Sequence, residues 1–259
     1  MSAEKARSFV IWLHGLGDSG PANEPLHTLF TSPEFRNTTW SYPTTPSNPV
    51  TCNYGRVMPS WFDIHKMPVT GEEHLENASD GFTCSGKLSK LLMTANLKSS
   101  NTDSSGVSSE QESGSPEVTT GLLDSVKRVH GMIDEEVASG TDPRNIFVCG
   151  LSQGGALTLA SVLLYPKTLG GAAVFSGWVP ANASLLKRVT PEARKTPMLW
   201  SHGTDDLLIL FEAGKAGHRF LKKAGVNCEF KVYPGLRHVL LNKELLYLEN
   251  WMKPLLPSP

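Results

Sequence analysis

Apolar residues along this chain fall into short blocks separated by amphipathic stretches or by Gly and Pro. Blocks at residues 8–13, 40–42, 145–149, 172–175, 198–201 and 229–232 predict strands, and several are apolar on both faces. A strand with one wet face alternates, so unbroken blocks predict a mainly parallel sheet covered by helices on both sides. Between the blocks, residues 120–140 set Leu123, Val126, Val129 and Ile133 at near-helical spacing, with Gly140 where a helix would stop. Further helices are predicted at 154–165 before Pro166, 210–224 before Gly225, and 243–253 before Pro254. The alternation specifies an α/β fold, and 259 residues are read as a single domain with an adequate core.

One stretch breaks the rhythm. Across residues 71–118 the periodicity fades and Ser, Asn, Gly and Glu dominate, as in KSSNTDSSGVSSEQESGSP. Such a composition buries too little apolar surface to offset the entropy of ordering, which predicts a disordered insertion. A lid over a neighbouring site is the sharper alternative, and connections of this length inside a domain are uncommon.

Composition narrows the function mainly by exclusion. With 24 Lys+Arg against 25 Asp+Glu the net charge is −1, so no basic field points to nucleic acid or anionic lipid. The longest apolar run, near residues 156–165, is too short for the ~20 residues a bilayer requires. The first residues lead straight into FVIWLHG without a secretory apolar region, which predicts a cytoplasmic protein. Four dispersed cysteines, Cys52, Cys84, Cys149 and Cys228, have no zinc-like spacing, so no metal is expected. Cys149 and Cys228, inside apolar blocks, are expected to be buried thiols.

The chemistry concentrates at Gly150-Leu151-Ser152-Gln153-Gly154, a G-x-S-x-G between a predicted strand and a predicted helix. A sharp strand-to-helix turn exposes the central hydroxyl at the carboxyl edge of the sheet, and glycines on either side avoid collisions there. A serine hydroxyl becomes nucleophilic only when a base takes its proton and an acid orients that base. Downstream, SHGTDD (201–206) and YPGLRH (233–238) each follow a predicted strand, in the order Ser, Asp, His. We read Ser152 as nucleophile, His238 as base and Asp206 as orienting acid, with Asp205 as rival to Asp206 and His202 as structural. The glycine-rich turn His14-Gly15-Leu16-Gly17-Asp18 lacks the spacing of a dinucleotide loop. It supplies the backbone of Leu16 as one oxyanion donor, and Gln153 supplies the other.

These segments, with FVIWLHGLGDSG, PVTCNYGRVMPSWFDI, NIFVCGLSQGGALTLASVLLYP, AVFSGWVP and TPMLWSHGTDD, together resemble the acyl-protein thioesterase/carboxylesterase family, and within it the plant branch. The resemblance implies an α/β-hydrolase fold, the triad Ser152, Asp206 and His238, and oxyanion donors Leu16 and Gln153. It implies acylated-protein or small acyl-ester substrates, no cofactor and at most transient membrane contact. Trp61 and Phe62 are implied beside the acyl groove, with plain core packing as the competing role. A short-acyl carboxylesterase or protein deacetylase is the alternative activity, and a catalytically weakened binding module is the other class. Residues 71–118 are longer than the connection the resemblance leads one to expect. Arg237 before the histidine and Val239 after it also depart from the pattern, and a cation there would oppose an imidazolium unless solvent screens it.

Overall fold

The computed structural model describes residues 7–70, 116–180, 185 and 187–257. Its sheet has six strands in the order β2-β1-β5-β6-β7-β8. They are β1 (Ser8–Leu13), β2 (Thr38–Ser41), β5 (Ile146–Leu151), β6 (Gly171–Phe175), β7 (Met198–Gly203) and β8 (Cys228–Tyr233), and every neighbouring pair is parallel. All six expected strands are present, displaced at their ends by at most two residues. A two-stranded antiparallel ribbon, β3 (Ser47–Val50) and β4 (Arg56–Pro59), stands outside the sheet. The apolar pattern did not reveal it, because three of the four β3 residues and two of the four β4 residues are exposed and Pro interrupts both strands.

Both faces of the central strands are buried. From β1, Phe9, Ile11 and Leu13 enter one cluster and Val10 and Trp12 the other, so one run of apolar residues serves two cores. A short helix, α1 (Gly20–Asn23), follows β1. The first core is covered by α2 (Pro116–Ala138), α3 (Gln153–Leu164) and α4 (Phe211–Lys223), using Leu122, Val126, Val129 and Ile133 of α2. The second is covered by α5 (Asn242–Met252) through Leu245, Leu248 and Met252, with Phe30 and Phe35 beside it. Edge strands differ from the expected pattern. β8 carries mostly intermediate and exposed positions because no described strand lies beyond it, and Cys228 is consequently only half-buried, whereas Cys149 is fully enclosed.

Helix α2 starts at Pro116, so the last residues of the stretch expected to be an insertion belong to a helix. The rest of that expectation falls on residues outside those described. No described helix is long and apolar enough to cross a membrane.

Candidate active site

The carboxyl ends of β1, β5, β7 and β8 all point to one edge of the sheet, where α/β folds assemble sites. Ser152 sits between β5 and α3 with φ 55° and ψ −119°, a left-handed conformation that costs a non-glycine residue about 1–3 kcal/mol. The surroundings enforce it. The Ser152 N–H donates to the Phe175 carbonyl at 2.8 Å, and its own carbonyl starts the helix by accepting from Ala156 N–H at 3.0 Å. The neighbouring glycines allow the close approach. A Cβ on Gly154 would lie 2.0 Å from the Leu13 carbonyl oxygen, so only glycine lets the start of α3 pass this close to the end of β1.

Asp206 follows β7 on a tight turn. Its Oδ1 accepts the N–H groups of Leu208 and Ile209, each at 2.9 Å, and its Oδ2 lies 2.7 Å from Nδ1 of His238. Burial pushes this carboxyl upward. The bond and charge of the His238 ring, with the two backbone donors, outweigh that and hold it below the usual carboxylate range. The couple has the polarity a proton-handling pair requires: the carboxylate fixes Nδ1–H, leaving Nε2 free to accept. Asp205, the rival, is exposed and accepts from Thr204 Oγ1 at 2.8 Å. Asp206 is the partner.

Two further polar groups fasten these loops. His202 is fully buried, with Nε2 donating to the Ile209 carbonyl at 2.9 Å and lying 3.8 Å from Asp206 Oδ2. Burial holds its pKa below the ordinary histidine value, so it stays neutral and closes the turn that presents Asp206, consistent with a structural role. Glu244 is also buried. It accepts Ser201 Oγ at 3.0 Å and Leu241 N–H at 2.9 Å, tying the chain just past His238 to β7. This residue escaped the sequence reading, although an acid at the third position of a helix is a start signal.

The Ser152 hydroxyl and the His238 ring make no direct hydrogen bond to each other among the described residues. The serine is 7 % exposed and the His238 side chain 16 %, and each follows a strand whose carboxyl end lies on the same edge of the parallel sheet. Catalytic contacts of this kind are often loose before substrate binds. The turn 14–18 approaches from the other side: a Cβ on Gly15 would stand 3.6 Å from Cβ of Ser152. Within that turn Gly17 N–H is already used by the Pro59 carbonyl at 2.9 Å, whereas the backbone N–H groups of Leu16 and Gln153 have no partner among the described residues.

Trp61 and Phe62 are almost wholly buried, at 5 % and 7 %. They line a cleft of about 430 Å³ together with Asn48, Asp63, Gly121 and Arg128, and none of Ser152, Asp206 and His238 borders it. Phe62 also meets Trp178 edge-on, which is packing. Arg237, a departure noted above, is exposed, and solvent screens its charge from the neighbouring imidazole. Val239, Leu207 and Leu208, which follow His238 and Asp206, are exposed and give the rim of the site an apolar character.

Comparison with known proteins adds a family context. The model of the phospholipase/carboxylesterase family matches residues 1–109 and 107–256. A "Probable carboxylesterase SOBER1-like" protein of Arabidopsis thaliana is 53 % identical over 253 residues, 98 % of this chain and 80 % of that one, so the alignment runs across residues 71–118. The crystal structure of Arabidopsis thaliana SOBER1 superposes with TM-score 0.77 at 52 % identity, covering 96 % of this chain and 99 % of that chain. An "Acyl-protein thioesterase 1" of Cryptococcus neoformans is 31 % identical over 94 % of this chain and 90 % of its own. A rice protein, 45 % identical over 96 % of this chain and 84 % of its own, bears the name "Probable inactive carboxylesterase".

Proposed function

This chain belongs to the phospholipase/carboxylesterase family of α/β-hydrolases, and on that premise we propose that it cleaves acyl thioesters or carboxylic esters through a Ser152–His238–Asp206 triad. The observation that carries the reading is the 2.7 Å contact between Asp206 and His238, made by loops after β7 and β8 on the same sheet edge at which β5 ends in the strained Ser152 turn. His238 Nε2 takes the hydroxyl proton as Ser152 Oγ attacks the acyl carbonyl. Asp206 holds the ring and stabilises the imidazolium. The unpartnered N–H groups of Leu16 and Gln153 bind the oxyanion, a contribution worth about 2.7–4 kcal/mol for a single donor. Collapse expels the thiol or alcohol, protonated by His238, and leaves an acyl-serine. Water, deprotonated by the same imidazole, then releases the acid.

The apolar rim formed by Leu207, Leu208 and Val239 favours substrates with an apolar acyl part, either S-acylated proteins or small acyl esters. The experiment has two arms. A fluorophosphonate probe labels wild type and not Ser152→Ala, which folds but does not turn over p-nitrophenyl acetate; undiminished turnover in that variant refutes the nucleophile. Hydrolysis measured across acyl chains from acetyl to palmitoyl then fixes the substrate class, and a profile peaking at acetyl favours the short-acyl carboxylesterase or deacetylase reading.

A further inference from the structure

The segment Ser60-Trp61-Phe62, at least 90 residues before the nucleophile in sequence, is bonded to both loops that carry the candidate oxyanion donors. On one side it holds Gln153. The fully buried Gln153 side chain accepts Trp61 N–H at 3.1 Å through Oε1, and donates through Nε2 to Ser60 Oγ at 3.0 Å and to the Phe62 carbonyl at 2.7 Å. On the other side it holds the turn after β1. The Trp61 indole N–H donates to the His14 carbonyl at 2.9 Å, and the Pro59 carbonyl accepts Gly17 N–H at 2.9 Å. The remaining polar group of Trp61, its carbonyl, accepts from Ser125 Oγ. All three polar groups of Trp61 are therefore engaged.

The consequence for the donors follows from peptide geometry. In a trans peptide the C=O and the next N–H point in opposite directions, so fixing one fixes the other. The Gly15 carbonyl is fixed because His14 Nδ1 lies 2.7 Å from it, while Nε2 of the same ring accepts Thr45 N–H at 3.3 Å. That aims the N–H of Leu16. The peptide before it, whose carbonyl belongs to His14, is the one the Trp61 indole grips. The Ser152 carbonyl is fixed by Ala156, which aims the N–H of Gln153. The two donors thus belong to rigid planes, and Trp61 is the only described residue hydrogen-bonded to both loops, through its indole to one and its backbone N–H to the other.

We propose that Trp61, acting with the Gln153 carboxamide, is a positioning residue that braces the oxyanion hole, holding the Leu16 and Gln153 N–H groups at a fixed separation. The proposal rests on the reading of those two groups as oxyanion donors. Trp61 touches no reacting atom; its effect passes through the two backbones.

The test uses the full chain carrying Trp61→Phe, which keeps an aromatic ring and the backbone N–H and deletes the indole donor together with the ring atoms around it. A displaced catalytic group of this kind costs up to about 100-fold, and outright loss of a donor costs about 100- to 1,000-fold. We expect kcat on p-nitrophenyl acetate to fall about 10- to 100-fold, with KM within about twofold. The inhibition constant of a trifluoromethyl ketone, whose hemiketal places an oxyanion in the same position, is expected to rise by the factor by which kcat/KM falls. Ser60→Ala, which removes one partner of Gln153 with little change of volume, gives the same split at smaller amplitude and carries the test if Trp61→Phe does not fold. Unchanged kcat and ketone affinity in a folded variant overturn the brace, as does a change confined to KM, which would mark a plain groove wall. Wild type that labels with fluorophosphonate beside an unperturbed Trp61→Phe sinks the brace alone; wild type that fails to label sinks the hydrolase reading beneath it.

Discussion

Replacing Asp206 by Asn separates the two tasks of this carboxylate. The side chain is fully buried, with one oxygen occupied by Leu208 and Ile209 N–H groups and the other by His238. An Asn carboxamide has a single oxygen. If it stays on the two backbone donors, which otherwise lose their partner inside the protein, its NH2 faces His238 Nδ1. That nitrogen must then accept, the ring proton moves to Nε2, and the atom that should take the serine proton already carries one. The loss expected from such a tautomer reversal is about ten-thousand-fold in kcat, or about 5.4 kcal/mol of barrier. Stability should fall far less. The charge-assisted contact with His238 is worth about 1.5–3 kcal/mol, and both backbone amides keep their acceptor. Asp206→Ala, by contrast, orphans both amides at about 1–3 kcal/mol each and destabilises as well as inactivates. The assay is p-nitrophenyl acetate turnover beside urea unfolding for Asp206→Asn, Asp206→Ala and the exposed control Asp205→Asn. An Asp206→Asn protein retaining more than about a tenth of wild-type kcat, where the reasoning demands about four decades, refutes the assignment. So does an Asp205→Asn protein that shares the loss.

The strain at Ser152 makes a stability prediction: Ser152→Gly relieves the φ of 55° whereas Ser152→Ala does not, so the glycine variant should be the more stable by about 1 kcal/mol after its greater chain entropy is deducted. Thermal melting checks it, since about 1 kcal/mol moves Tm by roughly 2–4 °C in a protein of this size; an alanine variant melting at or above the glycine one contradicts the strain. Acid should weaken the fold in a definite window. Burial depresses the pKa of His14 and His202, so as pH falls below about 6.5 the unfolded chain takes up protons that the native state refuses. The stability present at neutral pH is then lost down to their folded values, at no more than about 1.4 kcal/mol per pH unit for each ring. Asp206 has the opposite charge type and a lowered folded value; its contribution is present above the unfolded carboxylate value and disappears only as pH falls through the lower folded one. Urea unfolding free energies that stay level between about pH 7.5 and 5.5 would show that these two imidazoles are not what the acid side senses.

What could be read from the sequence divides along a physical line. The central strands announced themselves because burial on both faces leaves a continuous apolar block, and Ser152, Asp206 and His238 stood out as candidates because each lies in a loop that follows a predicted strand, in one order along the chain. The ribbon β3–β4 did not, since its exposed residues obey no alternation and its strands are held by their pairing rather than by a core. The contacts of Trp61 and Gln153, and the bond of Glu244 to Ser201, were equally silent. Each is a hydrogen bond between segments far apart in the chain, and no local spacing encodes which carbonyl an indole will reach. Even the half-buried Cys228 follows from the edge position of β8, a property of sheet order rather than of the block around it.

This division bears on activity, because family membership settles the architecture but not turnover. A relative sharing nearly half of this sequence bears the name "Probable inactive carboxylesterase", so membership of the family does not by itself establish turnover. Nor do triad residue types suffice, since an oxyanion is stabilised only by donors aimed where its charge develops. Under the brace proposed above, the aiming depends on His14, Ser60, Trp61 and the Gln153 side chain, none of which needs to touch substrate. Loss of that support would leave every motif residue in place and still slow the reaction.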